Sequence, residues 1–337
     1  MSNLFENLNH EQFNYHAFYL GPKNETLTKK RIKQSFKNFH EIQDYNKIER
    51  YNFIREFNLD IAIDLTGYTQ HSFTDEFASK IANIKINYLG YPGTFGSKYF
   101  NYIIADKIII PEENKKNYSE KVVYLNHCYQ PNDKFRFENL INIEKKELGL
   151  PLNKFVFGNF NNSFKITKEI FNIWLNLLET NENSILILLE SNASQKYNIL
   201  NYAQIRKLEK KIFFTNRSDQ KIHLSKHKLV DLFLDTYPYN GHVSTSDALL
   251  VGTPYLALRG KSFQSRVSSS ILNELKLNEL ISDSYDDYFA KALELSLNKK
   301  KYLELKFKLK KNIKNCKLLD MKRFAKSLED VCLKISL

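Results

Sequence analysis

Cysteine is scarce in this sequence: Cys128, Cys316 and Cys332 are the only three in 337 residues. They are widely spaced and odd in number, which argues against a disulfide framework and for a reducing compartment. No pair has the spacing of zinc ligands, and no metal is expected. Long apolar runs are missing too, since none approaches the roughly 18 residues that a membrane span requires. The N-terminus lacks a charged start followed by an apolar stretch. No signal peptide is therefore expected, and the cytoplasm is the expected location. No solenoid-type repeat is present.

What is present is enough apolar material, 42% of residues, to build more than one core. At this length two domains are the natural expectation. The net charge of +12 admits nucleic acid, an acidic membrane face or an anionic ligand. Much of the excess lies in residues 299–317, where lysines alternate with Leu, Phe and Ile. This reads as an amphipathic helix with a solvated basic face, a membrane surface or a partner being the alternatives. The interleaved stacking aromatics of a nucleic-acid site are absent there, so no specific nucleic acid is expected.

Along the chain, short apolar strands alternate with helical segments, which means βαβ units and a parallel sheet. Helices are expected over 1–17, 29–39 and 45–58, and strands at 18–20, 59–65, 84–89, 102–105 and 121–125. The polar stretch 126–142 reads as a linker. A second series then begins with strand 155–160 and a helix capped by Thr167. The boundaries expected are 1–135 for the first half, 136–318 for the second and 319–337 for a C-terminal helix. Asp286 and Asp287 open a helix, where the dipole accounts for them better than a metal.

The stretch from Leu234 to Pro254 carries the most information. Pro238 and Asn240-Gly241 force a turn, Ser244, Thr245 and Ser246 precede an apolar run as N-caps do, and Gly252 and Pro254 stop the helix. Free N–H groups and a positive dipole end at such a helix start suit a phosphate, outside the carboxyl ends of the strands of an α/β sheet. His242 stands at the mouth, and Asp247 lies one turn in.

Four motifs in order, spread over 18–288, resemble the catalytic region of O-linked N-acetylglucosamine (O-GlcNAc) transferases. They are Leu89-Gly90-Tyr91-Pro92-Gly93-Thr94, Tyr118-Ser119-Glu120-Lys121, Asn159-Phe160-Asn161-Asn162-Ser163-Phe164-Lys165, and Asn240-Gly241-His242 with the hydroxyls, Asp247 and Gly252-Thr253-Pro254 that follow. The resemblance implies a GT-B fold, two Rossmann-like α/β domains facing a cleft. It implies glycosyl transfer from a UDP-sugar, the sugar being N-acetylglucosamine first of all, to a Ser or Thr hydroxyl of a protein or peptide. No cofactor beyond the donor is implied. Lys165 matches the family's catalytic lysine. His242, Ser244 and Thr245 match its diphosphate contacts, Asp247 its ribose contact and His223 a residue near the uracil. Lys221 stands beside the position of a family lysine, and Asn162 stands where many relatives have Gln. Leu89, Gly90 and Pro92 would bring backbone to the donor. His40 matches a histidine with either acid–base or structural duty, and Arg266 an arginine to which no role is assigned.

Val243 departs from the family, where a second hydroxyl residue follows the histidine. The expected first strand and its Arg-x-His-Pro-type loop have no counterpart, and neither His10 nor His16 replaces that histidine. Two other readings therefore stand beside the transferase. One is a truncated, non-catalytic protein that binds nucleotide-sugars. The other is a related UDP-hexose protein glycosyltransferase.

Overall fold

A computed structural model describes residues 1–336 of the chain. It divides into two compact units, residues 1–133 with the segment from 317 onward, and residues 134–316.

The first unit opens with a single helical turn, α1 (Ser2–Phe5), and β1 (His16–Tyr19). The helix expected over 1–17 is thus mostly absent. The apolar spacing was helical, but Asn side chains capture the backbone locally. Asn7 donates to the Asn3 carbonyl at 2.7 Å, and Asn9 accepts from the Glu11 N–H at 3.0 Å. After α2 (Leu27–Gln34), capped by Thr26, the chain forms β2 (Asn38–Glu41), parallel to β1. The helix expected over 29–39 stops short to allow this strand. A capping box of Asn46 and Glu49 starts α3 (Lys47–Arg55). Then come β3 (Leu59–Asp64), α4 (Thr74–Ala78), β4 (Ala82–Asn87), β5 (Tyr102–Ala105) and β6 (Lys121–Tyr124). These four strands form a parallel sheet in the order β3-β4-β5-β6 over a core of Ile42, Ile54, Phe73, Phe77, Phe95 and Phe100.

The loop after β4 is tightly specified. Leu89 holds φ +72°, and a Cβ on Gly90 would fall 2.2 Å from the Leu65 carbonyl oxygen. Only glycine fits there. Buried Glu120 ties the loop down, accepting from the Phe95 N–H at 2.8 Å and from Asn87 Nδ2 at 3.1 Å.

The second unit runs β7 (Phe155–Asn159), α5 (Lys168–Thr180), β8 (Ser184–Leu189), α6 (Ala193–Gln204), β9 (Ile212–Thr215) and α7 (Gln220–His227). It continues with β10 (Leu232–Leu234), α8 (Val243–Leu250), β11 (Tyr255–Leu258), α9 (Val267–Glu274), β12 (Ile281–Ser282), α10 (Tyr285–Leu297) and α11 (Lys299–Lys314). Every residue of β8 is buried, as expected of a central strand covered on both faces. The parallel sheet has the order β12-β11-β10-β7-β8-β9. The chain thus builds outward from β7 to β9, then returns to lay β10 against the other side of β7. That reversal is a topological switch point, where loops diverge and leave a crevice at the carboxyl ends of the strands. Below it, buried Trp174 donates to the Tyr288 hydroxyl at 3.3 Å, and that hydroxyl donates to the Asp235 carbonyl at 3.0 Å. On α11, Tyr302, Leu305 and Leu309 are buried and Leu303 and Phe307 are exposed.

The last helix, α12 (Met321–Ser336), belongs to the first unit. Its Glu329 accepts from the Asn9 N–H and the Tyr15 hydroxyl, both at 2.7 Å. No helix of the described residues is long and apolar enough to cross a membrane.

Candidate active site

The switch point lies between the carboxyl ends of β7 and β10, and it is where the lysine loop meets the Asn-Gly-His turn. Asn159, the last residue of β7, donates to the Leu234 carbonyl at the end of β10 at 2.7 Å. Beyond the strands the two segments touch again, Ile166 bridging Tyr237. Lys165 ends a short 3-10 turn (Ser163–Lys165), and its ammonium donates to the Asn240 carbonyl at 2.8 Å. It also sits 3.9 Å from the centroid of the Tyr239 ring. Burial lowers its pKa to about 8, with the Asp235 carboxylate opposing the shift. Lys165 is therefore a desolvated cation aimed along the turn.

Asp235 builds the turn from below. It is fully buried, and its Oδ1 accepts from the Gly241 N–H at 2.7 Å, the Thr236 N–H at 2.9 Å and the Tyr255 hydroxyl at 2.7 Å. Burial raises its carboxyl to about 7 against hydrogen bonds from Ser268, Gly241 and Tyr255. Gly241 is required by space. A Cβ there would meet the Tyr255 hydroxyl at 2.3 Å and the Ser244 and Thr245 hydroxyls at 2.7 Å. Nothing local in the sequence announces Asp235, because a carboxylate after a strand carries no mark of its partners.

The helix start differs from expectation. The N-cap of α8 is His242, and no side chain caps it. Ser244, Thr245 and Ser246 lie inside the first turns, with their hydroxyls used elsewhere. Ser244 donates to Asn161 Oδ1, Thr245 bonds Ser268 at 2.8 Å, and Ser246 donates to the Val243 carbonyl at 3.0 Å. The first-turn N–H groups, which an N-cap side chain would have taken, are left to other acceptors. The His242 ring packs on Tyr239, and burial lowers its pKa to about 3; Lys165 adds to the shift and a hydrogen bond with the Gln264 backbone opposes it. Its buried Nε2 has no hydrogen-bond partner among the described residues. Such an atom is left to bond a group outside the chain, water or a ligand. An adjacent diphosphate would favour the charged imidazole and raise that pKa.

Asp247 is buried and held by Arg136, whose Nη1 and Nη2 each lie 2.9 Å from one carboxylate oxygen. Burial raises the Asp247 pKa, and Arg136 opposes this. Arg136 belongs to the 3-10 turn Lys134–Phe137, inside the stretch expected to be a linker. Its partner lies 111 residues ahead, so nothing local in the sequence announces it. His223 is half-buried on α7, near Phe160 and His227. Burial lowers its pKa first, and Lys226 and Arg136 lower it further. Lys221, two residues before it, is exposed. Asn162 is exposed and accepts from Arg217 at 3.0 Å. Arg266 donates to the Gly260 carbonyl at 2.9 Å.

The structure thus brings Lys165, His242, Ser244 and Thr245 around one turn, with Asp247 and His223 about Arg136 in the same unit. His40, Leu89, Gly90 and Pro92 are in the first unit. His40 lies on β2, its Nε2 3.2 Å from His16 Nδ1, in an aromatic cluster with Phe18, Phe53 and Phe57. Burial lowers its pKa, as does the neighbouring His16. Among the described residues no group of three or more His, Cys, Asp or Glu is placed to hold a metal ion.

A family model described as Glycosyl transferase family 41 matches residues 1–140 and 136–328. The chain belongs to glycosyl transferase family 41. It is 32% identical over 336 residues to the "Probable UDP-N-acetylglucosamine--peptide N-acetylglucosaminyltransferase SEC" of Arabidopsis thaliana, a match covering 98% of this chain and 34% of that protein. The chain therefore spans about a third of the length of this curated relative. Among solved structures it is similar to a mutant of the Thermobaculum terrenum O-GlcNAc transferase, with a TM-score of 0.91 and 21% identity, over 99% of this chain and 64% of that one. It is also similar to a glycosyltransferase from Rickettsia africae, with a TM-score of 0.65 and 11% identity, over 98% and 92% of the two chains. The fold is α/β with parallel sheets, of the GT-B class.

Proposed function

We propose that this chain transfers a sugar, N-acetylglucosamine first of all, from a UDP-sugar to a Ser or Thr hydroxyl of a protein or peptide. The observation that carries the reading is the desolvated Lys165 ammonium on the Asn240 carbonyl, beside an uncapped helix start and the unpartnered Nε2 of His242. In the transfer, the acceptor oxygen forms a bond to the anomeric carbon. The bond from that carbon to the diphosphate oxygen breaks, and its electron pair stays on the diphosphate. The hydroxyl proton passes to solvent water as the acceptor attacks. The charge growing on the leaving group needs fixed donors, and Lys165 with the first turn of α8 supplies them. The names of the relatives support this donor and this acceptor class. A cytoplasmic location accords with the scarce cysteines.

The test is transfer of label from UDP-N-acetylglucosamine to a Ser/Thr-containing acceptor protein, followed with pH. Lys165 must be protonated to act, and its pKa is about 8. The charged form prevails below that pH and is lost above it. The expected kcat/KM of the free enzyme therefore falls as pH rises through about 8. Lack of label transfer by a folded protein that binds UDP would overturn the activity and leave only the binding site.

A further inference from the structure

We propose that Arg136 is a positioning and specificity residue of the nucleotide site, and that it reads the ribose jointly with Asp247. The inference rests on the donor-site reading above. Asp247 is the residue expected at the ribose, and both of its carboxylate oxygens face the Arg136 guanidinium, Oδ2 through a hydrogen bond and the buried Oδ1 through an ion pair that leaves it without a hydrogen-bond partner among the described residues. Arg136 Nη2 donates to Oδ2 at 2.9 Å and Nη1 lies 2.9 Å from Oδ1, with the carboxylate side chain 4% exposed and the arginine side chain 21% exposed.

A neutral ribose hydroxyl does not displace that ion pair. Charge-assisted hydrogen bonds are roughly twice as strong as neutral ones. Removing the cation would also strand a buried carboxylate without its counter-charge. The pair therefore stays closed when nucleotide arrives. One of the five N–H groups of the guanidinium is hydrogen-bonded to Asp247, which leaves others for further acceptors. Arg136 lies close enough to His223 and His227 on α7 for its charge to lower the pKa of both. It is therefore near both the residue expected at the ribose and the one expected near the base, its turn being packed on α7. Its remaining donors suit the hydroxyl oxygens of the sugar, while Asp247 keeps the planar group oriented. This division of labour differs from Asp247 acting alone, in which Arg136 would be either an obstruction or a mere fastener of its 3-10 turn.

The experiment is calorimetric titration of the whole chain with UDP and with the 2′,3′-dideoxy analogue of UDP, which has the same diphosphate and base. Wild type, Arg136→Ala, Asp247→Asn and His242→Ala are compared, each shown to be folded by thermal unfolding. Wild type is expected to prefer UDP by tenfold or more. Arg136→Ala is expected to bind UDP at least tenfold more weakly and to lose the preference, and Asp247→Asn to behave likewise. A fastener would lower the affinity for both ligands equally and leave the ratio unchanged, which overturns the proposal. Tighter UDP binding by Arg136→Ala would show an obstruction and overturns it too. If His242→Ala weakens UDP while Arg136→Ala keeps the preference, the donor site stands and only the role of Arg136 falls. If folded wild type binds no UDP, the donor-site reading fails, and this inference with it.

Discussion

Replacement of Lys165 by alanine is expected to lower kcat for sugar transfer by about 10²- to 10³-fold, the range found when one preorganised charge-stabilising donor is removed from an active site. The size follows from where the ammonium sits. It is desolvated enough to carry a pKa of about 8, and its hydrogen bond is to a backbone carbonyl, that of Asn240. An ammonium held in this way keeps its field for a new anion. A surface lysine would be screened by water and worth little. The charge on the diphosphate grows as the glycosidic bond breaks, so the loss falls more on kcat than on ground-state affinity. Steady-state kinetics beside calorimetric UDP affinity separates the two. The expected pattern is a large fall in kcat with a smaller fall in affinity. A loss of less than threefold in kcat would remove Lys165 from the chemistry.

Asp235→Ala is expected to destabilise the second unit by roughly 3–5 kcal/mol. The substitution strands the N–H groups of Thr236 and Gly241 and the hydroxyl of Tyr255, which share one buried acceptor. Each buried donor left unsatisfied costs about 1–3 kcal/mol, and the relaxation of a turn recovers part of the sum. For a unit of this size that is a fall in Tm of order 10 °C, at about 2–4 °C per kcal/mol. Asp235→Asn retains an acceptor oxygen in the same place and is expected to cost less than half as much. Thermal and urea unfolding of the two variants checks the order. Equal and small effects would mean that the turn is held by its other contacts.

Much of this site was legible because it is written in residues with narrow conformational uses. Asn240-Gly241 forces a turn whatever surrounds it, and the glycine is confirmed by the space its Cβ would lack. The strands β7, β8 and β11 declared themselves as apolar runs. Thr167, expected as a cap, accepts from the Ile170 N–H at the start of α5. The hydroxyls of α8 were misread for the opposite reason. Ser and Thr favour N-caps on average, but here Ser244 and Thr245 bond to Asn161 and Ser268, distant in sequence. Strand β2 was missed because Asn38-Phe39-His40-Glu41 contains no β-branched residue and follows a lysine-rich helix. Its partner β1 lies some twenty residues back, and only that pairing makes it a strand. Asp235 and Arg136 were missed since their meaning is wholly tertiary.

The most direct test of the account is calorimetric titration of UDP into the folded chain beside His242→Ala. His242 presents a buried Nε2 without a partner among the described residues, at the head of a helix that no side chain caps. The account predicts micromolar UDP binding by wild type and a loss of tenfold or more in His242→Ala. Absence of UDP binding by folded wild type, or equal binding by the variant, would contradict the assignment of the nucleotide to this switch point.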